Sequence, residues 1–244
     1  MWFADSVRFR WLWLAVFLLL PLRSTAQPRV ARHLDLGVTG GVTMSRYTFN
    51  PTVTQNQALG YTMGITARYV EEKYFGVQAE LLLTQRGWDE RYELFPDLKF
   101  KRTFTYLEIP VLAHIYFNMG RRNEISVDLG PKFGTMLWQN TDSNLPEDFG
   151  QTGSATSNYQ YLQHDMSVHS KFDYGIQAGL GYEFRASRHL SFQIAGRYYF
   201  GLGNIFPDEK TDVFETSSNQ QIQIVFTAWW KKWIGKKRAV KVKG

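Results

Sequence analysis

No cysteine occurs among the 244 residues of this sequence. That excludes a disulfide framework, a thiolate metal site and a cysteine nucleophile. Beyond Leu22 the chain also lacks any apolar run as long as a membrane-crossing helix, which takes ~20 residues. Overall hydropathy is low. Aromatic residues, by contrast, reach 16%, and there are 20 glycines. Such a mixture disfavours a helical membrane protein and suits a β-barrel, whose apolar residues are diluted by alternation. The net charge is +6. Much of that excess sits at the two ends rather than across a folded surface, so no nucleic-acid partner is expected.

The first end is Met1–Ala26. Arg8 and Arg10 precede the apolar run Trp11–Leu22, and Ser24-Thr25-Ala26 puts small residues where a signal peptidase cleaves. Residues 1–26 are therefore expected to be a secretory signal rather than an uncleaved anchor, and 27–32 a short periplasmic segment.

The stretch Tyr106–Phe117 sets the pattern for the rest. Leu107, Ile109, Val111, Ala113, Ile115 and Phe117 alternate with Tyr106, Glu108, Pro110, Leu112, His114 and Tyr116. Successive side chains of a strand point to opposite faces, so one face is wholly apolar and the other mixed. Seven further stretches share this alternation: His33–Thr43, Leu59–Val70, Tyr74–Gly87, Glu124–Trp138, Lys171–Arg185, His189–Leu202 and Gln220–Trp230. Between them lie expected long loops, Met44–Ala58, Trp88–Arg102, Gln139–Ser170 and Gly203–Asn219, and short turns, Glu71–Lys73, Asn118–Asn123 and Ala186–Arg188.

The expected fold is all-β: an eight-stranded, antiparallel, up-and-down transmembrane β-barrel over residues 33–230. Its short turns and both termini would be periplasmic and its longer loops outer. Tyr69, Phe75, Phe117, Tyr182, Phe184 and Trp230 then fall at the periplasmic level on the lipid side, where an aromatic girdle belongs. A soluble lipocalin-like barrel would need the same alternation turned inside out, with its charges outside.

Arg68, Glu80, Arg86, Glu108, Asp128, Lys132, Asp173, Glu183 and Arg197 share the inward parity. Eight strands enclose only enough space for side chains, and buried charges must pair. An interior ion-pair network is expected, with an ion pathway as the alternative. Glu80 and Glu108 could pass for an acid/base pair of the kind glycoside hydrolysis uses, but so narrow a lumen does not admit a sugar. A lone inward His114 is more often a satisfied core residue than a base. His164 and His169 lie near Asp165 in the longest loop, yet no Gly-x-Ser-x-Gly element accompanies them. No catalytic, cofactor or metal residue is assigned. Pro110 cannot donate to a ladder, so a β-bulge is expected there.

Phe75-Gly-Val-Gln-Ala-Glu-Leu-Leu-Leu-Thr-Gln-Arg-Gly87, Tyr106-Leu-Glu-Ile-Pro-Val-Leu112 and Asp128-Leu-Gly-Pro-Lys-Phe-Gly134 resemble the PorT-type outer-membrane β-barrel family of Bacteroidetes. The resemblance implies an eight-stranded barrel in the cell outer membrane and, for PorT itself, a role in type IX protein secretion. It implies no catalytic residues. The chain departs from many such barrels by running past Trp230 as residues 231–244, half of them Lys or Arg. Lys231, Lys232, Lys236, Lys237 and Arg238 are expected to form a basic periplasmic tail that meets anionic lipid or a partner protein.

The function expected from all this is a non-enzymatic structural or interaction barrel, which the resemblance implies to be an accessory of type IX protein secretion, with outer-membrane lipid and periplasmic or secretion-machinery proteins as partners. A narrow porin-like channel and a lipid-modifying enzyme are the alternatives.

Overall fold

Alternation of side chains along eight extended segments builds the wall. The computed structural model describes residues 32–50, 52–90, 92, 97–146, 164, 166–206 and 216–234. The expected signal 1–26, the segment 27–31, Asp165 and the basic residues Lys236, Lys237 and Arg238 lie outside the described residues.

The strands are β1 (His33–Asn50), β2 (Gln55–Glu72), β3 (Phe75–Glu90), β4 (Phe100–Met119), β5 (Asn123–Ser143), β6 (Phe172–Arg185), β7 (Leu190–Asn204) and β8 (Thr216–Trp233). Each pairs antiparallel with its sequence neighbours. β8 pairs with β1 from His33↔Trp233 to Asn50↔Thr216, which closes the ring and leaves no free edge along that seam. Short turns join β2 to β3, β4 to β5 and β6 to β7 at the end that also carries Arg32 and Ile234. We call this the terminus end and the other the loop end.

The outer wall carries a belt of exposed apolar side chains, among them Leu36, Val38, Ile65, Val77, Ile109, Val111, Leu129, Ile176, Ile194 and Ile224. The inward set is buried and mostly polar.

The strands are longer than the alternation alone marks out. They run from 14 to 21 residues, whereas a tilted crossing strand needs ~9–11. Met44–Ala58 is not a loop: β1 continues to Asn50, β2 begins at Gln55, and only residues 51–54 connect them. The outward residues there, Arg46, Thr48, Asn50 and Gln57, are polar and exposed, so the apolar belt ends while the ladder goes on. β3, β4, β5 and β8 extend in the same direction beyond their expected ends. β5 outruns β6, pairing with β4 alone from Trp138 to Ser143, and a register shift at Thr105/Tyr106 skips Leu137.

Three expectations of detail are corrected. Pro110 makes no bulge: Pro110↔Lys132 and Ala113↔Leu129 keep one register, as do Ala79↔Val111 and Leu82↔Glu108. The missing N–H interrupts the ladder locally without inserting a residue. Tyr74 belongs to the β2–β3 turn rather than to β3, with φ of 87°; its ring lies against Phe117 at 5.7 Å. Lys231 is not in a tail, because β8 runs on to Trp233 and turns that side chain inward.

Candidate functional site

The interior is the part of the molecule where charge concentrates. All nine inward residues singled out from parity are buried. They stack in layers along the barrel axis.

At the terminus end, Arg68 of β2 donates to Asp35 of β1 at 3.0 Å and to Glu183 of β6 at 2.6 Å. Its guanidinium lies 4.3 Å from the Trp229 ring, a cation–π contact. Another Arg68 nitrogen lies 3.1 Å from His114 Nε2, and His114 Nδ1 lies 2.6 Å from Asp128 Oδ1. Lys231 approaches Glu183 at 2.7 Å, and Arg185 reaches Glu124. His114 is thus held by an arginine on one side and a carboxylate on the other.

In the next layer Arg197 of β7 grips Glu80 of β3 through two nitrogens, at 2.7 and 2.8 Å. Paired donors of this kind are the strong form of the ion pair. Gln78 donates to the same carboxylate at 2.5 Å.

The third layer joins Arg86, Glu108, Lys132 and Asp173. Lys132 donates to Glu108 at 2.9 Å, and Arg86 lies 2.7 Å from Asp173 and 3.4 Å from Glu108. Tyr106 lies beneath Arg86 at 3.5 Å and Tyr199 beneath Lys132 at 3.8 Å. Tyr199 also donates to Asp173 at 3.0 Å. Glu80 and Glu108 therefore face different cations in different layers, and are not joined as an acid/base pair.

Above these layers the chemistry of the lumen reverses. Tyr47, Phe49, Trp88, Phe100, Phe104 and Phe206 form a buried cluster at the loop end. Trp88 meets Tyr47 and Phe49 edge-on, each at 5.3 Å, a favoured aromatic geometry. Arg102 lies over Phe104 at 5.6 Å. Outside this lid, Glu90 accepts from Trp88 Nε1 at 3.0 Å and from Tyr92 at 2.8 Å, while His164 Nε2 lies 2.7 Å away. Phe100 stacks on the His164 ring at 3.9 Å. His169 sits apart from that group; its backbone N–H donates to Ile205 at 3.0 Å.

Parity reasoning missed several members. Asp35 and Glu124 share the inward parity and are ion-paired, so a strict count along β1 and β5 would have found them. The lid needed β1, β3 and β4 to be followed past their apolar belts. Among the described residues no group of His, Asp and Glu has the arrangement of a metal site.

Tyr69, Phe75, Phe117, Tyr182, Phe184 and Trp230 all lie exposed on the outer wall near the terminus end. Lys232 is exposed on the outer face beside Leu34, whereas Lys231 is 7% exposed and committed to the interior. The Lys231 ammonium is held by Glu183 inside the barrel.

Comparison with known proteins adds to this geometry. The chain shares 13% identity with the outer membrane protein OprG from Pseudomonas aeruginosa over 85% of this chain and 99% of that one, at a TM-score of 0.48. Ail, the attachment invasion locus protein of Yersinia pestis, is 16% identical over 81% of this chain and 98% of its own, at 0.42. Neisserial surface protein A is 11% identical over 82% and 98%, at 0.38. No curated protein matches the sequence. The sequence model of one family, described as the outer membrane protein beta-barrel domain, matches residues 25–207. With that match and a closed ring of eight antiparallel strands, the chain is an outer-membrane β-barrel and belongs to the outer membrane protein beta-barrel domain family.

Proposed function

We propose that this protein is a non-enzymatic barrel that works as a structural and interaction protein, its lumen closed by its own side chains. The observation that carries this reading is the stack described above: three ion-paired layers capped by an aromatic lid. Each cation of the nine inward residues lies within 3 Å of a carboxylate. Removing one partner of such a buried pair strands the other, so the layers resist opening. What remains for contact is the apolar belt, which meets lipid, and the two ends.

In this reading the terminus end is periplasmic. An even strand number, tight turns at that end and a ring of exposed aromatics at that level support it. Residues 1–26 serve as the export signal, and the basic residues at 232 and beyond lie at the periplasmic surface. Polar strand extensions and the longest connections then face outward, on a rigid scaffold of the kind that carries binding loops.

A finer role rests on the three segments that resemble the PorT-type family: an accessory of type IX protein secretion. Photo-crosslinkers placed at Thr48 and Asn140 on the outer extensions, and at Arg188 on the terminus end, test the interaction reading in the native envelope. A discrete protein adduct is the expected result; adducts with lipid alone at every position contradict it. Loss of secreted cargo on deletion, without general leakage, is the outcome the secretion role requires. An unchanged lipid A mass spectrum is what distinguishes this reading from a lipid-modifying enzyme.

A further inference from the structure

At the terminus end the lumen widens into a vestibule of about 760 Å³. Its wall draws on distant parts of the sequence: His33 of β1, Tyr116 of β4, Lys231 and Trp233 of β8, and the β4–β5 and β6–β7 turns. Five arginines and lysines line it, and no aspartate or glutamate does. Two of the five are already committed, Lys231 to Glu183 and Arg185 to Glu124. The other three, Arg121, Arg122 and Arg188, are exposed and form no ion pair among the described residues.

The space has the size of a ligand pocket, ~300–1,000 Å³. A small inorganic anion would leave most of it unused. The vestibule opens along the barrel axis, since His33, Tyr116 and Lys231 are inward residues. Lipid headgroups packed against the outer wall do not face it. Beneath it lie Asp35, Glu124 and Glu183. These carboxylates are already held by Arg68, Arg185 and Lys231, so the layer below offers an incoming anion no unpaired cation, which suits docking at the rim and not passage. The three guanidiniums are separate forks, each matched to one carboxylate. Trp233, whose ring lies 5.0 Å from that of His33, and Tyr116 supply flat apolar surface between them.

We propose that this vestibule binds an acidic peptide segment of a partner protein, with Arg121, Arg122 and Arg188 pairing to its carboxylates. The site is independent of any role in secretion.

The test uses the full chain folded into nanodiscs of zwitterionic phosphatidylcholine and titrated with fluorescein-labelled hexaglutamate, followed by anisotropy. Saturable binding that weakens as salt is raised is expected. The combined variant R121E/R122E/R188E is expected to lose about tenfold or more in affinity. A matched reversal at the loop end, R46E/K99E/K101E, is expected to leave binding unchanged. Folding of each variant is checked by heat-modifiable mobility. Should the triple reversal not fold, Arg188→Gln is read in the same assay, with a loss of about threefold expected. Equal affinity in wild type and the terminus-end variant overturns the proposal, as does equal binding of hexalysine. Displacement by equimolar inorganic pyrophosphate overturns it too, by making the vestibule a phosphate site.

Discussion

Arg197 on β7 clasps Glu80 on β3 through two hydrogen bonds of 2.7 and 2.8 Å, although these strands stand on opposite sides of an eight-membered ring. The bond spans the lumen. It fixes two walls that no backbone ladder joins, at a place where both side chains are almost wholly buried. Arg197→Ala is therefore expected to strand the Glu80 carboxylate and to destabilise the barrel by about 3–5 kcal/mol. Replacing both partners, with Glu80→Leu and Arg197→Met, is expected to recover most of that loss. Urea unfolding in detergent micelles measures both; a single variant no less stable than the double one contradicts the assignment.

Adjacent lysines near the end of β8 should behave differently. Lys231 lies 2.7 Å from Glu183 inside the barrel, while Lys232 is exposed on the outer wall. Lys231→Ala leaves Glu183 with Arg68 alone and is expected to cost about 1–3 kcal/mol. Lys232→Ala is expected to stay within ~0.5 kcal/mol of wild type. Unfolding midpoints compared side by side decide it, and equal effects count against the inward placement.

The outer wall predicts a contrast by depth. Val111 sits in the apolar belt, and Thr48 on a polar extension beyond it. Val111→Lys is expected to destabilise the barrel in bilayers by about 2–4 kcal/mol, as lipid-exposed cations at mid-depth do. Thr48→Lys is expected to change stability by less than ~0.5 kcal/mol. Equilibrium folding into vesicles provides the measurement.

Gly120 in the β4–β5 turn adopts φ of +82°, and a Cβ there would meet nothing within 4 Å. The cost of Gly120→Ala is thus conformational and not steric. About 1 kcal/mol is expected, seen as a lower unfolding midpoint with the slope unchanged.

Much of the wall was legible in the chain because a strand has a period of two and one face must meet lipid. Leu59–Val70 and Tyr106–Phe117 carry that signal without interruption. The loop-end extensions were not legible. There Arg46, Thr48 and Asn50 face out while Tyr47 and Phe49 face in, which inverts the rule that marks the belt. Polar residues on the outside of a strand above the membrane look like a loop in sequence. Parity could say that Arg68 and Glu183 point inward, yet not that they meet, since they lie 115 residues apart and only strand stagger brings them to one level. Lys231 was hidden by company: beside Lys232 and ahead of further lysines, it resembled a tail. Pro110 misled in the opposite sense, because loss of one donor within a closed ring leaves a gap in the ladder with β3 without a shift of register.

In the reading proposed above, side chains close the lumen between the Arg68 layer and the aromatic lid. Planar-bilayer recording of the purified, refolded full chain tests it most directly. No unitary conductance above the bare membrane is expected, including in a Trp88→Ala variant, since the ion-paired layers beneath the lid remain. Reproducible single-channel steps from the wild-type protein that vanish when Glu80 or Glu108 is replaced would contradict it.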